Sequence, residues 1–547
     1  MIFDNTHSIY EKVSSLIRYN RWKKLFFRSP KNRIVIIVLL FGFIHLGYQG
    51  YLERKAKKMN LTLRVSNRYV SKDLNYYDPL KNRSMHQMVI TEALYSRLLD
   101  KDQQGVVVSS IAAWFDIKNK REIVFKIRDD IKTIDGNIIN NQDVVFSLKR
   151  LVTTSNAFSV NFRDLIDDCI IDLATDLCEG IKALEGNRVV IKSKIHPDLL
   201  LESLVDSAYS IVPISSFSDD MREINDFKNT SGPYYFHQFT SEGYLVLKAN
   251  PVHFQYHPKM PQKLIIVGKN NKSEGNKTSV YQNFMGDKID HIPLSEWFSD
   301  LTHYDQLLEK SKNRFGVHKT YGLNSRTAKF TLRGRKLPKS ERLGLGIQIR
   351  KAISELTTSK IVKMTPMYIK EPGFGCLSNH QKTLYLSKLE AISPTTGKNV
   401  VLEFPDYLHH ALPILKKYLP DIQIVEPSDY KVSSTDRLKT DRADIVLTME
   451  FPGISESYSW ISWAIGARIF PLSEEEGQKW ISEYAQTESF EKRRDLYRDL
   501  QYRALIEDPT IVPVGHMPKI AFIKPPWKMS FTPFDVSNPF HRIRYDD

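Results

Sequence analysis

The 547-residue chain carries only three cysteines, Cys169, Cys178 and Cys376. Three are too few for a disulfide framework, and no CxxC pair is present to hold zinc. Cys169 and Cys178 lie near enough in sequence for one bridge in an oxidising compartment, a question that only geometry settles. The sequence also lacks a G-x-S-x-G elbow, an H-E-x-x-H pair and a P-loop, so nucleophilic, zinc and phosphate chemistry have no motif to rest on. His409 and His410 open a helical segment. Adjacent helix residues point to different faces, and these two are not read as joint metal ligands. We expect no catalytic residues, no metal and no cofactor, and the chain is not read as an enzyme.

Positive charge is scarce where nucleic-acid binding would need it. The formal net charge is +15, but residues 1–60 hold twelve Lys and Arg against Asp4, Glu11 and Glu53, a surplus of nine. The remainder has the balance of an ordinary soluble surface, and no nucleic-acid partner is expected. With 41% hydrophobic and 26% charged residues, the chain can bury more than one core.

One long apolar run stands out: IVIIVLLFGFIHLGYQGYL, from Ile34 to Leu52. As a helix rising about 1.5 Å per residue it nearly spans a hydrocarbon layer of about 30 Å. Eight Lys and Arg precede it against two acids, which holds the N-terminus in the cytoplasm, although Arg54 to Lys58 put positive charge on the other flank as well. No small-residue cleavage site follows Leu52 and no cysteine stands close behind it, so the run reads as an uncleaved anchor. The expected layout is a basic cytoplasmic tail (1–33), a transmembrane anchor (34–52), a linker (53–60) and a main domain outside.

That main domain alternates strand and helix signals. LTLRV (Leu61 to Val65), REIVFKIRDD (Arg121 to Asp130), NRVVIKS (Asn187 to Ser193), GYLVLKAN (Gly243 to Asn250) and KLIIVG (Lys263 to Gly268) read as strands. MHQMVITEALYSRLLD (Met85 to Asp100), VVFSLKRLV (Val144 to Val152, with Asp143 as cap) and RLGLGIQIRKAISEL (Arg342 to Leu356) have helical spacing. NVVLEF, HHALPILKKYL and IQIVEP (Asn399 to Pro427) form a strand, helix, strand unit that needs a parallel sheet, and ADIVLTMEF (Ala443 to Phe451) supplies the next strand.

Several blocks recur in one order: Tyr77-Asp78-Pro79, Glu92-Ala93-Leu94, Ile111-Ala112-Ala113-Trp114, FKIRDDIKTIDGNIINNQDVVFSLKRL (Phe125 to Leu151), SIVPISSF (Ser210 to Phe217), SGPYYFHQF (Ser231 to Phe239), LKANPVHF (Leu247 to Phe254), NFMGDKIDHIP (Asn283 to Pro293) and RKAISEL (Arg350 to Leu356). In that order they resemble the family 5 extracellular solute-binding proteins, which serve oligopeptide, dipeptide and nickel ABC importers. The resemblance covers residues 61 to about 530. It implies an α/β, two-lobed periplasmic-binding-protein-like fold of type II with an extra subdomain and mixed sheets, here preceded by one N-terminal transmembrane helix. Lobe I is expected over 61–315 with an inserted subdomain at about 108–212, lobe II over 316–515, and a return to lobe I over 516–547, with two crossing strands as hinge. As residues, Gly232-Pro233 reads as a tight turn with glycine accepting positive φ, Trp114 as core, and Arg350 as solvated or salt-bridged.

The resemblance further implies a membrane-anchored protein of the cell inner membrane, single-pass, its main domain periplasmic, with a peptide-like ligand, an ABC permease and inner-membrane lipid as partners. In oligopeptide binders of the family a carboxylate shortly after the Ala443 to Phe451 strand pairs with the peptide's α-ammonium. This sequence departs there, with Pro452-Gly453-Ile454, and its nearest carboxylates are Glu450 and Glu456. The candidate ligand contacts are Glu450, Phe451, Gly453, Glu456, Trp460 and Tyr77. An anchored sensor or envelope interaction protein with a degenerate fold and no transport role is the alternative.

Overall fold

Period-two alternation after residue 60 becomes strand β1 (Thr62–Tyr69), whose Leu63 and Val65 are fully buried against Leu264 and Ile266 of a parallel neighbour. Each such side chain removed from water stabilises the fold by about 1.5–3 kcal/mol. The structure is a computed structural model that describes residues 61–546 apart from 82–84, 154–161, 168, 170–177, 270–279, 294–303, 312–314, 357–362, 370–372, 394, 404–411, 426–437, 439–441, 451–457 and 533–538. The apolar run 34–52 and the pair His409-His410 therefore lie outside the described residues. Among those described, no helix is long and apolar enough to cross a membrane.

After β1 come helix α1 (Met85–Leu94), a short hairpin β2 (Leu99–Lys101) and β3 (Val107–Ser109), then β4 (Ala112–Asn119), β5 (Glu122–Ile127), α2 (Asn141–Thr153), β6 (Ile181–Leu184), β7 (Arg188–Lys192) and α3 (Pro197–Ser203). β4, β5, β7 and β6 make an antiparallel sheet in that order. Its inner side chains Ile123, Phe125, Val189 and Ile191 are fully buried in one cluster with Val144 and Leu148 of α2. Cys169 and Cys178 are joined by a disulfide beside this layer, which answers the question the spacing left open.

The chain continues through β8 (Tyr234–Phe239), β9 (Leu245–Ala249), β10 (Lys263–Lys269), β11 (His291–Ile292), β12 (Gly316–Phe330), α4 (Lys339–Leu356), β13 (Lys363–Met364), β14 (Val401–Glu403), α5 (Leu412–Tyr418), β15 (Gln423–Val425), β16 (Ile445–Glu450), α6 (Tyr458–Gly466), α7 (Glu474–Gln486), α8 (Phe490–Tyr502), β17 (Ile511–Ile523), β18 (Trp527–Met529) and β19 (Ile543–Tyr545). Eleven strands form one mixed sheet in the order β15-β14-β16-β12-β17-β11-β1-β10-β9-β8, with β13 also on β17. The expected strand, helix, strand unit is present: β14 and β15 are parallel, and Leu402, Leu415, Leu419 and Ile422 share a core with Ala328, Phe330 and Ile349.

Two long strands carry the sheet across its middle. Gly316 to Thr320 of β12 pair with Ile523 to Lys519 of β17, and Asn324 to Lys329 pair with Met517 to Ile511. Between these stretches three residues of β12 oppose the single Pro518, and a second shift follows where Arg326 faces Gly515 and Thr327 faces Pro513. Proline has no N–H to give the ladder, so both shifts fall where the sequence withholds a donor. Irregular register bends a strand and raises its twist. The early part of β12 is thus separated from β11 only by β17, with β1 beyond, and its late part lies beside β16, with β14 and β15 beyond it.

Four local expectations are corrected. The helix from Met85 ends at Leu94 instead of running to Asp100, and the carbonyl of Leu94 accepts the N–H of Gly232 at 2.8 Å. Gly232 is needed for that close approach and not for positive φ: an added Cβ would sit 2.5 Å from the Leu94 carbonyl carbon. Trp114 is 45% exposed, because β4 lies at the edge of its sheet. Arg350 is neither solvated nor salt-bridged in the manner expected; its Nε donates to the Pro513 carbonyl at 3.0 Å, and burial lowers its pKa.

Candidate ligand-binding site

β16 is central to the second half of the sheet, lying between β14 and β12. Its last residue, Glu450, is in register with Ser325 of β12, and Ser325 in turn with His516 of β17, which pairs with Lys363 of β13. Glu450, Ser325, His516 and Lys363 therefore occupy one transverse row across four strands, adjoining the break at Pro518. Pockets in open α/β sheets form at such carboxyl ends of strands. Phe451, Gly453 and Glu456, the continuation, lie outside the described residues.

α6 follows directly and carries Trp460. Its half-buried indole has Tyr368, Trp463, Phe470 and Tyr497 as ring neighbours at 6.3, 6.3, 6.5 and 6.3 Å. Burial holds the Tyr368 and Tyr497 phenols well above the usual tyrosine range, so both remain neutral donors. The row and the aromatic group are linked, since a His516 ring nitrogen lies 3.3 Å from the Tyr368 carbonyl. Lys329, almost fully buried on β12, places its ammonium 5.7 Å from the Trp463 ring.

Tyr77 is placed elsewhere. It is fully buried, and its hydroxyl accepts the Ser71 N–H at 2.9 Å while reaching back to the Ser71 carbonyl at 3.4 Å. It holds its own turn together, and the following Asp78 makes a buried ion pair of 2.9 Å with Arg150, whose guanidinium lies 4.3 Å from the Phe217 ring. The structure places Glu450 at the end of β16, Trp460 in the ring group on α6, and Tyr77 in a scaffold turn. Lys329, Tyr368 and His516 escaped the reading of the sequence. The run V-P-V-G-H-M-P was the available signal, because prolines inside a strand mark an interruption.

A surface depression of about 630 Å³ is lined by Ser218, Asp219, Asp220, Arg222, Glu223 and Asn225. Its polar groups satisfy one another, as where Ser218 Oγ donates to Asp220 at 2.6 Å, and it includes none of the residues above.

Residues 107–310 match the family described as bacterial extracellular solute-binding proteins, family 5, middle. The periplasmic murein peptide-binding protein MppA of Escherichia coli strain K12 is 27% identical over 85 residues, 16% of either chain. The solved structure of the Escherichia coli murein tripeptide binding protein superimposes with a TM-score of 0.65 at 16% identity, covering 89% of this chain and 98% of that one. OppA of Haemophilus influenzae in complex with the peptide RPPGFSPFR gives 0.67 at 14% identity, covering 89% and 99%. NikA of Staphylococcus aureus in complex with Ni(L-His)2 gives 0.66 at 16%, covering 89% and 100%. These likenesses define the class, the mixed α/β fold of the two-lobed periplasmic binding proteins. Within it, residues 107–310 are similar to the middle segment of the family 5 extracellular solute-binding proteins. Members of that family are ligand-binding transport components and not enzymes.

Proposed function

We propose that this protein captures peptide-like ligands between two lobes and delivers them to an ABC permease. In this reading lobe I comprises 61–315, with a subdomain at about 108–212, lobe II comprises 316–515, and 516–547 return to lobe I. The register breaks of β12 and β17 are the hinge. A ligand that touches both lobes only when they are closed shifts the population to the closed state.

The observation that carries this reading is the end of β16 at Glu450, in register with Ser325 beside the break. A peptide laid there would be held by main-chain N–H and C=O groups, as an added strand is. Glu450 or Glu456 would supply the negative charge that a desolvated α-ammonium requires. Phe451, Gly453 and Trp460 complete the contact, and Tyr77 contributes only by holding its turn. Ligands named for the relatives support a peptide: a murein tripeptide for one and RPPGFSPFR for another. The Cys169–Cys178 bridge suits an oxidising compartment. The run 34–52 with its basic flank would tether the protein to the inner membrane and leave the main domain in the periplasm.

Native mass spectrometry of the full chain, extracted in detergent without refolding, tests the reading. A ladder of bound peptide masses is expected, and replacing both Glu450→Gln and Glu456→Gln is expected to weaken peptide binding at least about tenfold, or about 1.4 kcal/mol. A protein that is always empty, and that no peptide pool stabilises against heat, would leave the anchored sensor instead.

A further inference from the structure

The chain's two halves meet at a second place besides the crossing strands. α3, which follows the four-stranded sheet, packs against α6 of the second half. One cluster of buried apolar side chains holds Leu199 and Leu200 from the first side and Tyr458, Ile461, Tyr484 and Ala485 from the other. Polar contacts line it. Ser459 Oγ donates to Ser203 Oγ at 3.1 Å, Gln486 Nε2 donates to the Lys194 carbonyl at 2.8 Å, and the His196 N–H donates to the Ala485 carbonyl at 3.0 Å. At the surface the Lys120 ammonium pairs with Glu488.

We propose that this contact is a latch that biases the clamp toward closure with groups the chain itself supplies. Its apolar part is non-directional and independent of any bound molecule. Its hydrogen bonds fix the register of α3 against α6 and α7, and one of them runs from main chain to main chain, beyond the reach of side-chain substitution. A closing bias lowers the fraction of open molecules, and association with a ligand that must enter through the open form slows by the same fraction. Parting α3 from α6 is then the first step of capture. The consequence for capture rests on the two-lobe reading above; the latch itself can be tested without it.

The full chain carrying Ser203→Cys and Ser459→Cys, with Cys376→Ser to prevent mispairing, provides the first measurement. The two hydroxyl oxygens stand where a pair of sulfurs needs little movement to bond. Spontaneous oxidation, seen as a faster band on a non-reducing gel, is expected. The oxidised form should take up nothing from a pool of tri- and tetrapeptides, and reductant should restore uptake. Uptake that is measurable and equal in the oxidised and reduced forms, or no cross-link at all, overturns the latch.

A second pair of variants uses charge. In Ser203→Glu with Ser459→Glu, two like charges face each other, and amide exchange over 194–204 and 458–488 is expected to rise by about tenfold or more while the circular dichroism stays native. Ser203→Glu with Ser459→Lys should return the protection. Unchanged exchange in the like-charged variant overturns the proposal. A cross-link and a charge-dependent exchange pattern, in a protein that takes up no peptide in either redox state, would keep the latch and remove peptide as the ligand.

Discussion

Buried carboxylates brace both halves of the molecule, as Asp444 does in the second by accepting the Val401 N–H at 2.8 Å. Among the described residues, though, only the second half gathers a group of rings beside a buried ammonium. In the first half, carboxylates serve as struts. Asp78 is buried against Arg150, Asp290 accepts from the backbone and guanidinium of Arg64 at 2.7–2.9 Å, and Asp143 accepts the N–H groups of Asn140 and Ile214 at 2.9 and 2.8 Å. In the second half, the centre is a group of rings, Tyr368, Trp460, Trp463, Phe470 and Tyr497, beside the Lys329 ammonium. Blocks that recur within a family need not mark a binding surface. Tyr77-Asp78-Pro79 and the Asp143 helix start are structural ties, and the proposed ligand contacts fall where the sequence leaves the family pattern, after β16.

The sharpest way to break this comparison is to remove one member of the first half's buried pair. Arg150→Ala leaves the Asp78 carboxylate uncompensated at 2% side-chain exposure. A loss of about 3–5 kcal/mol in urea unfolding is expected, with hydrogen exchange raised first around α2 and residues 71–81. A replacement of both partners by apolar residues of similar volume should recover most of it. Loss of protection that began in α6 and α8 instead would show that the struts do not belong to the first half.

Acid should also act on the first half. Burial, partly offset by the Ser231 carbonyl, lowers the pKa of His253 to about 3. One ring nitrogen lies 3.1 Å from the Ser231 carbonyl and 3.2 Å from Ser96 Oγ, while Nδ1 accepts the Gln255 N–H at 3.1 Å. Protonating Nδ1 would abolish the last bond. The folded protein keeps this ring neutral while the unfolded chain takes up a proton below about pH 6.5, so stability is flat above that pH and falls as pH drops toward about 3. From this histidine alone about 2 kcal/mol is expected to be gone by pH 5. Chemical denaturation at pH 7 and pH 5, repeated with His253→Gln, measures it; an unchanged pH difference in the variant would refute the assignment.

The smallest effect belongs to the second half. Arg350→Met removes the bond from α4 to the Pro513 carbonyl and keeps much of the aliphatic volume. A loss of about 1 kcal/mol is expected, with exchange raised in β17 near Gly515 and not in β1 or β10. A loss as large as that from Arg150→Ala would erase the contrast between the halves.

Much of this architecture was legible in the residues. Alternation in LTLRV, the strand pattern of GYLVLKAN and the apolar run of KLIIVG gave β1, β9 and β10, and the NVVLEF to IQIVEP unit gave the parallel pair β14 and β15. The failures have physical causes. Helical spacing continues past Leu94, but the close approach of Gly232 to its carbonyl ends the helix, a constraint set by a segment far away in the chain. Trp114 reads as core because of its type, and edge position exposed it. Arg350 could not be placed without knowing that a proline-interrupted strand offers it a carbonyl. At the candidate site, the end of β16 was legible in the strand pattern, whereas the row that includes His516 forms only through the pairing of β12, β13 and β17.

That pairing has a consequence for how the protein is made. β17 leaves the ribosome after β11, β12 and β13, each of which pairs with it. Until it arrives, the nascent chain presents long unpaired edges, the kind of surface on which identical chains stick together. Prolines at 513 and 518 limit that hazard on β17 itself, since a strand that cannot donate at two positions is a poor template for a copy of itself.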